Sequence, residues 1–324
     1  MPISGLLPHN SDCNLAELLI EIGSGPPGWV HSAWKLSRAI HTGKSSAPGL
    51  PDAAYTLTVF GNSEFFELTY GDGSRFVIDG AAERIWATCL APLTSNDLDV
   101  YLRGPVLGFV LQRRGVTALH ASAVSVAGHG VVLCGPSETG KSTTAAALAL
   151  RGKPVLCDDM AALSVENGEI QIEPGYPRIC LWPETVQNLL GSPDALPPLT
   201  PNWEKRFLPL DGESANFQLQ RCPLRLIYLL APRVNDSGAP RVEGIGSRQA
   251  VIELVQNTYM NWFLDRHQRA AEFHFLSKLV LQVPVRRIVP HADSHRIGAA
   301  CDLILTDAEH ILSRRSLVTA VSSV

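Results

Sequence analysis

The stretch Gly135-Pro-Ser-Glu-Thr-Gly140-Lys141-Ser142 constrains this chain more than any other. It follows an apolar run, Val131-Val-Leu-Cys134, and leads into an alanine-rich segment, Ser142 to Leu150, of strong helix formers. A glycine-rich turn joining a buried strand to a helix is a unit of α/β architecture. In the pattern G-x-x-x-x-G-K-[ST], backbone N–H groups, the helix N-terminus and the lysine surround phosphate oxygens, while the hydroxyl binds Mg²⁺. Gly135, Pro136, Ser137, Glu138, Thr139, Gly140, Lys141, Ser142 and Thr143 are therefore the candidate nucleotide-binding residues, and ATP with Mg²⁺ the expected ligands. Thr42-Gly43-Lys44-Ser45 repeats the ending of the motif. There, however, Arg38 stands in place of the first glycine and Pro48 interrupts any following helix, so it is assigned no role.

Two further elements belong with the loop. Arg151-Gly152 precedes a short buried strand, Pro154-Val-Leu-Cys157, which ends on Asp158-Asp159, 17 positions after Lys141. A carboxylate there can reach both a metal and a γ-phosphate, as ligand or as base. Leu119-His120-Ala-Ser-Ala-Val124 lies on the strand preceding the loop strand, and pairing of those two strands brings His120 to the Asp158 side. The candidate catalytic residues are Lys141, Asp158, Asp159 and His120, and the candidate metal ligands Ser142, Asp158 and Asp159. The L-S-G-G-Q signature of ABC transporters is absent. Lys205-Arg206, on a proline-rich stretch, reads two ways: as cations folding over a transferred phosphoryl group, or as solvated surface charge. His291 and His295 have metal-ligand spacing without a third ligand at a suitable distance, and Arg286-Arg287 and Arg314-Arg315 read as exposed charge.

Leu119-His120-x3-Val124, Gly135-x4-Gly140-Lys141-Ser142 and Arg151-Gly152-x4-Cys157-Asp158-Asp159 resemble, in order and spacing, the catalytic domain of HPr serine kinase/phosphorylase over about residues 116 to 190. A looser likeness, over about 60 to 310, is to stand-alone lasso-peptide-precursor kinases, through Pro174-Gly175-x-Pro177-x-Ile179-x-Leu181-Trp182 and Lys205-Arg206. The resemblance implies a mixed-sheet α/β kinase domain of the HPr kinase and phosphoenolpyruvate carboxykinase type. It also implies ATP- and Mg²⁺-dependent transfer of the γ-phosphoryl group to a serine of a protein or peptide partner. Ser142 becomes a magnesium ligand, Asp158 the general base, and Asp159 and His120 its assistants. Glu138 stands where that family usually has glycine. HPr kinase catalytic domains assemble as hexamers, so a homo-oligomer is among the implied states. Two other readings keep the same loop: a nucleotide-binding sensor or assembly factor that transfers nothing, and a small-molecule kinase.

The rest of the chain supplies context. Residues 1–50 read as a weakly structured lead-in with a helical pattern at Leu15–Ile22; residues 51–115 as a small β-meander, turning at Asp72-Gly73, plus a helix capped by Ser95-Asn96 and running to about Arg114; and residues 116–315 as the catalytic domain with a helical C-terminal part. Ser192 to Pro209 reads as an exposed loop, Ala250 to Val280 as helical, and Ala292 to Leu312 as a last helix. A net charge of −4 excludes a broad grip on nucleic acid or anionic lipid. No apolar run approaches the roughly 18 residues of a membrane span, and the N-terminus does not read as a secretory signal, so the expected location is the cytoplasm. The seven cysteines include no C-x-x-C pair, and several, inside apolar runs, read as buried thiols.

Overall fold

The computed structural model describes residues 18–26, 41–44, 56–61, 64–213 and 215–321, with only the backbone for 41–44, 56–61 and 314–321. The chain divides into two compact units, Met1–Gly115 with Pro198–Glu204, and Val116–Pro197 with Lys205–Val324.

The first unit is a curled sheet of β1 (Leu19–Ile22), β2 (His41–Lys44), β3 (Thr56–Gly61), β4 (Phe65–Tyr70), β5 (Arg75–Asp79) and β6 (Arg84–Thr88), in the order β1-β6-β5-β4-β3-β2. Strands β2 to β6 form an antiparallel meander, and the turn at Asp72-Gly73 closes with Tyr70 N–H donating to Ser74 O at 2.9 Å. Leu19–Ile22 is a strand parallel to β6, not the end of a helix; residues 15–17 lie outside the described residues. The open edge of β6 offers backbone hydrogen bonds that a four-residue Leu-Ile-Glu-Ile segment, rich in β-branched residues, accepts more readily than an isolated helical turn. The helix after the meander is broken in three: α1 (Ser95–Tyr101), a wider π turn (Leu102–Val106) and α2 (Leu107–Arg113). Gly104 is non-helical and Pro105 lacks an N–H, which accounts for the break. The cap is Thr94, one residue earlier than the sequence suggests. Asp97 completes a capping box, and its Oδ2 also accepts from Asn202 Nδ2 at 2.9 Å.

The second unit is built on a mixed sheet of nine strands, with the main order β10-β8-β9-β16-β12-β11-β7. Its strands are β7 (Ala118–Leu119), β8 (Ala121–Val126), β9 (His129–Cys134), β10 (Val155–Cys157), β11 (Ala161–Glu166), β12 (Glu169–Ile172), β16 (Cys222–Leu230), β17 (Arg241–Gly244) and β18 (Val285–Val289). β16 runs parallel to both β9 and β18. Outside this sheet, β13 (Arg178–Leu181) pairs antiparallel with β15 (Trp203–Pro209), and β14 is Pro198–Thr200. The expected exposed loop at 192–209 is thus largely strand. Its prolines fall at strand ends or outside strands, where a missing N–H costs no ladder bond. Arg286 and Arg287 lie on β18 and pair with Asp307 and Glu253, so they are not free surface charge.

Helices cover both faces. On one, α3 (Lys141–Ala149) lies between the sheet and α7 (Ile297–Val321), and α4 is Pro183–Leu190. Ala145, Ala146 and Leu148 share a core with Val131, Leu133, Tyr228, Ala300 and Ile304. The alanines let backbone approach backbone, so the site end of α3 is held by close packing. On the other face, Leu254 of α5 (Ser247–Gln256) and Leu276 and Leu279 of α6 (Arg266–Gln282) pack on Val132, Leu156 and Ile227. The expected continuous helical stretch from 250 to 280 is divided because Asp265 starts a new helix, its side chain accepting from His267 N and Gln268 N. No described helix is long and apolar enough to cross a membrane.

Candidate active site

Strand register brings the candidates to one end of the sheet. β8 runs antiparallel to both β9 and β10, with Ala121 opposite Cys134 and Ala123 opposite Cys157. The residue before β8, His120, and the residues after β9 and β10, Gly135 and Asp158, therefore emerge together. His120 itself leaves the strand, because its N–H donates to Asn257 O at 2.7 Å instead of to the ladder.

The loop 135–140 closes on itself. Thr139 Oγ1 and Lys141 Nζ both donate to Pro136 O, at 2.8 and 2.9 Å. Gly140, at φ +99°, caps α3, and Thr144 Oγ1 and N–H each return to Gly140 O at 2.8 Å. Glu138 takes φ +68°, a conformation natural to glycine and strained for a longer side chain. Pro136, Ser137 and Glu138 are exposed; Ser142 and Thr143 are partly so. Lys141 is only 6% exposed. Burial lowers its pKa, opposed by the attraction of Asp159, Cys134 and Asp158.

The two aspartates differ in surroundings. Asp158 Oδ1 accepts from Ser122 Oγ at 2.7 Å and Oδ2 from Cys180 N at 3.0 Å, and the Ser142 hydroxyl also hydrogen-bonds this carboxyl. Burial raises its pKa against those hydrogen bonds, and the neighbouring Asp159 charge adds to the rise. Asp159 sits at φ +68° with its side chain 54% exposed; His120 Nε2 is 3.3 Å from its Oδ1 and Tyr259 OH donates to its Oδ2 at 3.2 Å. Partial desolvation works against the Asp159 carboxylate, but the hydrogen bond and charge of His120, with Lys205 and Lys141 behind it, hold its pKa down at about 2. The Tyr259 ring stands edge-on to His120, with centroids 5.9 Å apart.

Lys205 and Arg206 part company. Lys205 Nζ lies 5.1 Å from the centroid of Trp182, and its charge acts on both Asp159 and Lys141, so it belongs to this cluster. Arg206 turns away to Asp194 Oδ1 at 2.6 Å and Pro193 O at 3.3 Å. Alternation along β15 explains the division: adjacent side chains leave opposite faces of a strand. His291 Nδ1 accepts from Asp293 N at 2.9 Å, and among the described residues no three His, Cys, Asp or Glu side chains gather as a metal cage.

Sequence reasoning gave no site role to Ser122, Cys180 N–H, Tyr259 or Trp182, the last of these named only within the looser likeness. Ser122 has a signal, since it stands two residues after His120 in the same apolar run. Tyr259 has none: it arrives through an irregular bridge between Leu119 and Thr258 and the bond from Tyr259 N–H to Ala118 O. The assembled chemistry is a buried ammonium, a second ammonium, a hydroxyl–carboxylate pair and a carboxylate–imidazole pair around a glycine loop. Such a set can hold polyphosphate and accept a proton from an adjacent hydroxyl.

No family model matches the chain, and no curated protein matches it. Among solved structures the chain is similar to the HPr(Ser) kinase/phosphatase from Coxiella burnetii, at 17% identity and a TM-score of 0.33, over 63% of this chain and 96% of that one. A likeness at that score transfers neither an activity nor a residue role.

Proposed function

We propose that this chain is a kinase that uses ATP and Mg²⁺ to phosphorylate a hydroxyl group, with a serine on a protein or peptide as acceptor. The observation that carries the reading is the convergence of Lys141, Ser142, Asp158, Asp159, His120 and Lys205 on one loop at the carboxyl end of β9. The acceptor class rests on the motif resemblance. Ser142 and Asp158 offer hard oxygen donors in contact with each other, with Asp159 adjacent. They fit an ion that takes one or two protein oxygens and draws its other ligands from phosphate and water, as Mg²⁺ does. Held by these residues, such an ion would supply positive charge to offset the charge of the phosphate oxygens.

The chain's own groups then divide the work. The loop N–H groups and Lys141, released from Pro136 O, bind the phosphates, and Lys205 adds a second charge at the acceptor side. Asp158, made more basic by burial and fixed by Ser122 and Cys180 N–H, orients the acceptor hydroxyl and takes its proton. The hydroxyl oxygen forms the new P–O bond as the bond to the β-phosphate bridging oxygen breaks, leaving ADP. In a loose phosphoryl-transfer transition state this proton leaves late, so orientation matters as much as basicity. Asp159 and His120 hold each other at the rim beside that path.

Incubation with γ-labelled ATP, Mg²⁺ and serine-containing peptides tests the reading. Label should pass to peptide, and Asp158→Asn should lower transfer by at least about 100-fold, the lower end of what a general base contributes. Nucleotide binding without transfer to any acceptor would instead favour a sensor, and undiminished transfer in the Asn variant would remove Asp158 from the chemistry.

A further inference from the structure

Arg233 lies outside every motif in the sequence, yet the fold delivers it to the phosphate loop. β16 runs parallel beside β9, with Leu229 opposite Cys134, so the chain leaving β16 meets the loop leaving β9. A Cβ on Gly135 would stand 2.9 Å from Leu230 O, and one on Gly140 would stand 3.0 Å from Arg233 Nη2. The segment 230–233 therefore brackets the loop at both of its glycines. Its backbone is pinned on either side of Arg233: Ala231 N–H donates to Ile288 O at 2.9 Å and Val234 N–H to Pro290 O at 3.0 Å.

The guanidinium rests beside other positive groups. It lies against the N-terminus of α3, the positive end of the helix dipole, on the same loop as buried Lys141. No described carboxylate pairs with Arg233, whereas Arg221, Arg225, Arg241, Arg286 and Arg287 of the same unit all have acidic partners. A guanidinium without a carboxylate partner, set beside a helix N-terminus and a buried ammonium, is complementary to an anion, and in open α/β sheets ligands sit beyond the carboxyl ends of adjacent parallel strands. We propose that Arg233 is a phosphate-binding residue, a fork of N–H donors that grips the polyphosphate of the nucleotide from the side of the loop opposite Asp158. The inference rests on the nucleotide reading above and adds a residue to it. Gly140 is then required twice, for its left-handed backbone and for the guanidinium lying across it.

Equilibrium titration of the full chain with inorganic tripolyphosphate, ATP and adenosine is the test, by calorimetry in the presence of Mg²⁺. Arg233→Ala should weaken tripolyphosphate and ATP by about tenfold or more, as expected for a charge-assisted contact, and leave adenosine unchanged. Arg233→Lys should recover only part of the loss, because a point charge lacks the planar fork. Arg233 is exposed, so both variants should keep the wild-type circular dichroism and melting temperature. If Arg233→Ala binds tripolyphosphate as the wild type does while Lys141→Ala does not, the role of Arg233 is overturned and the nucleotide reading stands. If both variants lose binding but the wild type phosphorylates nothing, Arg233 stands and phosphoryl transfer falls. A wild-type chain that binds neither polyphosphate nor ATP overturns both.

Discussion

Three unfavourable features meet at Asp159: a left-handed backbone, an acidic neighbour in sequence and partial desolvation. Aspartate tolerates the first better than most residues, because its short side chain can bond locally. The others are offset by His120, Lys205 and Lys141, which hold the pKa at about 2. That value lies below the ~3.9 of a free aspartate, so the stabilising contribution is complete above about pH 4 and is lost as the pH falls through 2. Wild type should be more stable than Asp159→Asn at neutral pH, and the gap should close over that acid window. Urea midpoints measured for both proteins from pH 7 to pH 2 check this. A gap that stays constant would show that the charge of Asp159 is not what its neighbours stabilise.

Elements that announce themselves by local pattern were legible, and those defined by partners were not. The loop from Gly135 to Ser142 could be placed between strand and helix because apolar run, glycines and alanines follow one another within twenty residues. β1, β15 and β18 were hidden, since each takes its strand form from a neighbour: β6, β13 and β16 respectively. The same reason kept Tyr259 and Arg233 out of reach, as each is carried to the site by pairing that has no local signature. The start of α1 is a further case. Thr94 and Asp97 are readable as a capping box, but the third partner, Asn202, comes from a segment 105 residues away. Asp97 is fully buried, and its Oδ2 accepts from Thr94 N, Thr94 Oγ1 and Asn202 Nδ2. Asp97→Ala leaves these donors without an acceptor and should cost about 2 kcal/mol or more, the sum of a lost cap and unpaired buried donors. Thermal unfolding should move down by several degrees, while Asn202→Ala alone should cost about 1 kcal/mol. Equal effects from the two variants would mean that the cap itself contributes little.

For the whole molecule, a net charge of −4 and the gathering of Lys141, Lys205 and Arg233 at one loop are two sides of a single arrangement. Several other arginines of the second unit are neutralised locally, as Arg151 is by Asp302 and Arg221 by Glu166 and Glu173. Among the described residues, the cations at the glycine loop therefore form a local spot suited to anions, while these arginines are paired in place. The salt dependence of binding separates such a spot from an extended anion-binding surface. A protein that neutralises six to ten phosphates on a duplex loses roughly 10³ to 10⁵ in affinity between about 50 and 200 mM salt. Here few cations take part and Lys141 is shielded from solvent, so screening reaches only part of the interaction. Affinity for tripolyphosphate should fall by less than about tenfold over that salt range, and duplex DNA should show no measurable binding at its upper end. Titrations at several salt concentrations read both slopes. A thousandfold loss, or retention of DNA, would mean that anion binding is spread over the surface instead of concentrated where the glycine loop, the buried ammonium and Arg233 meet.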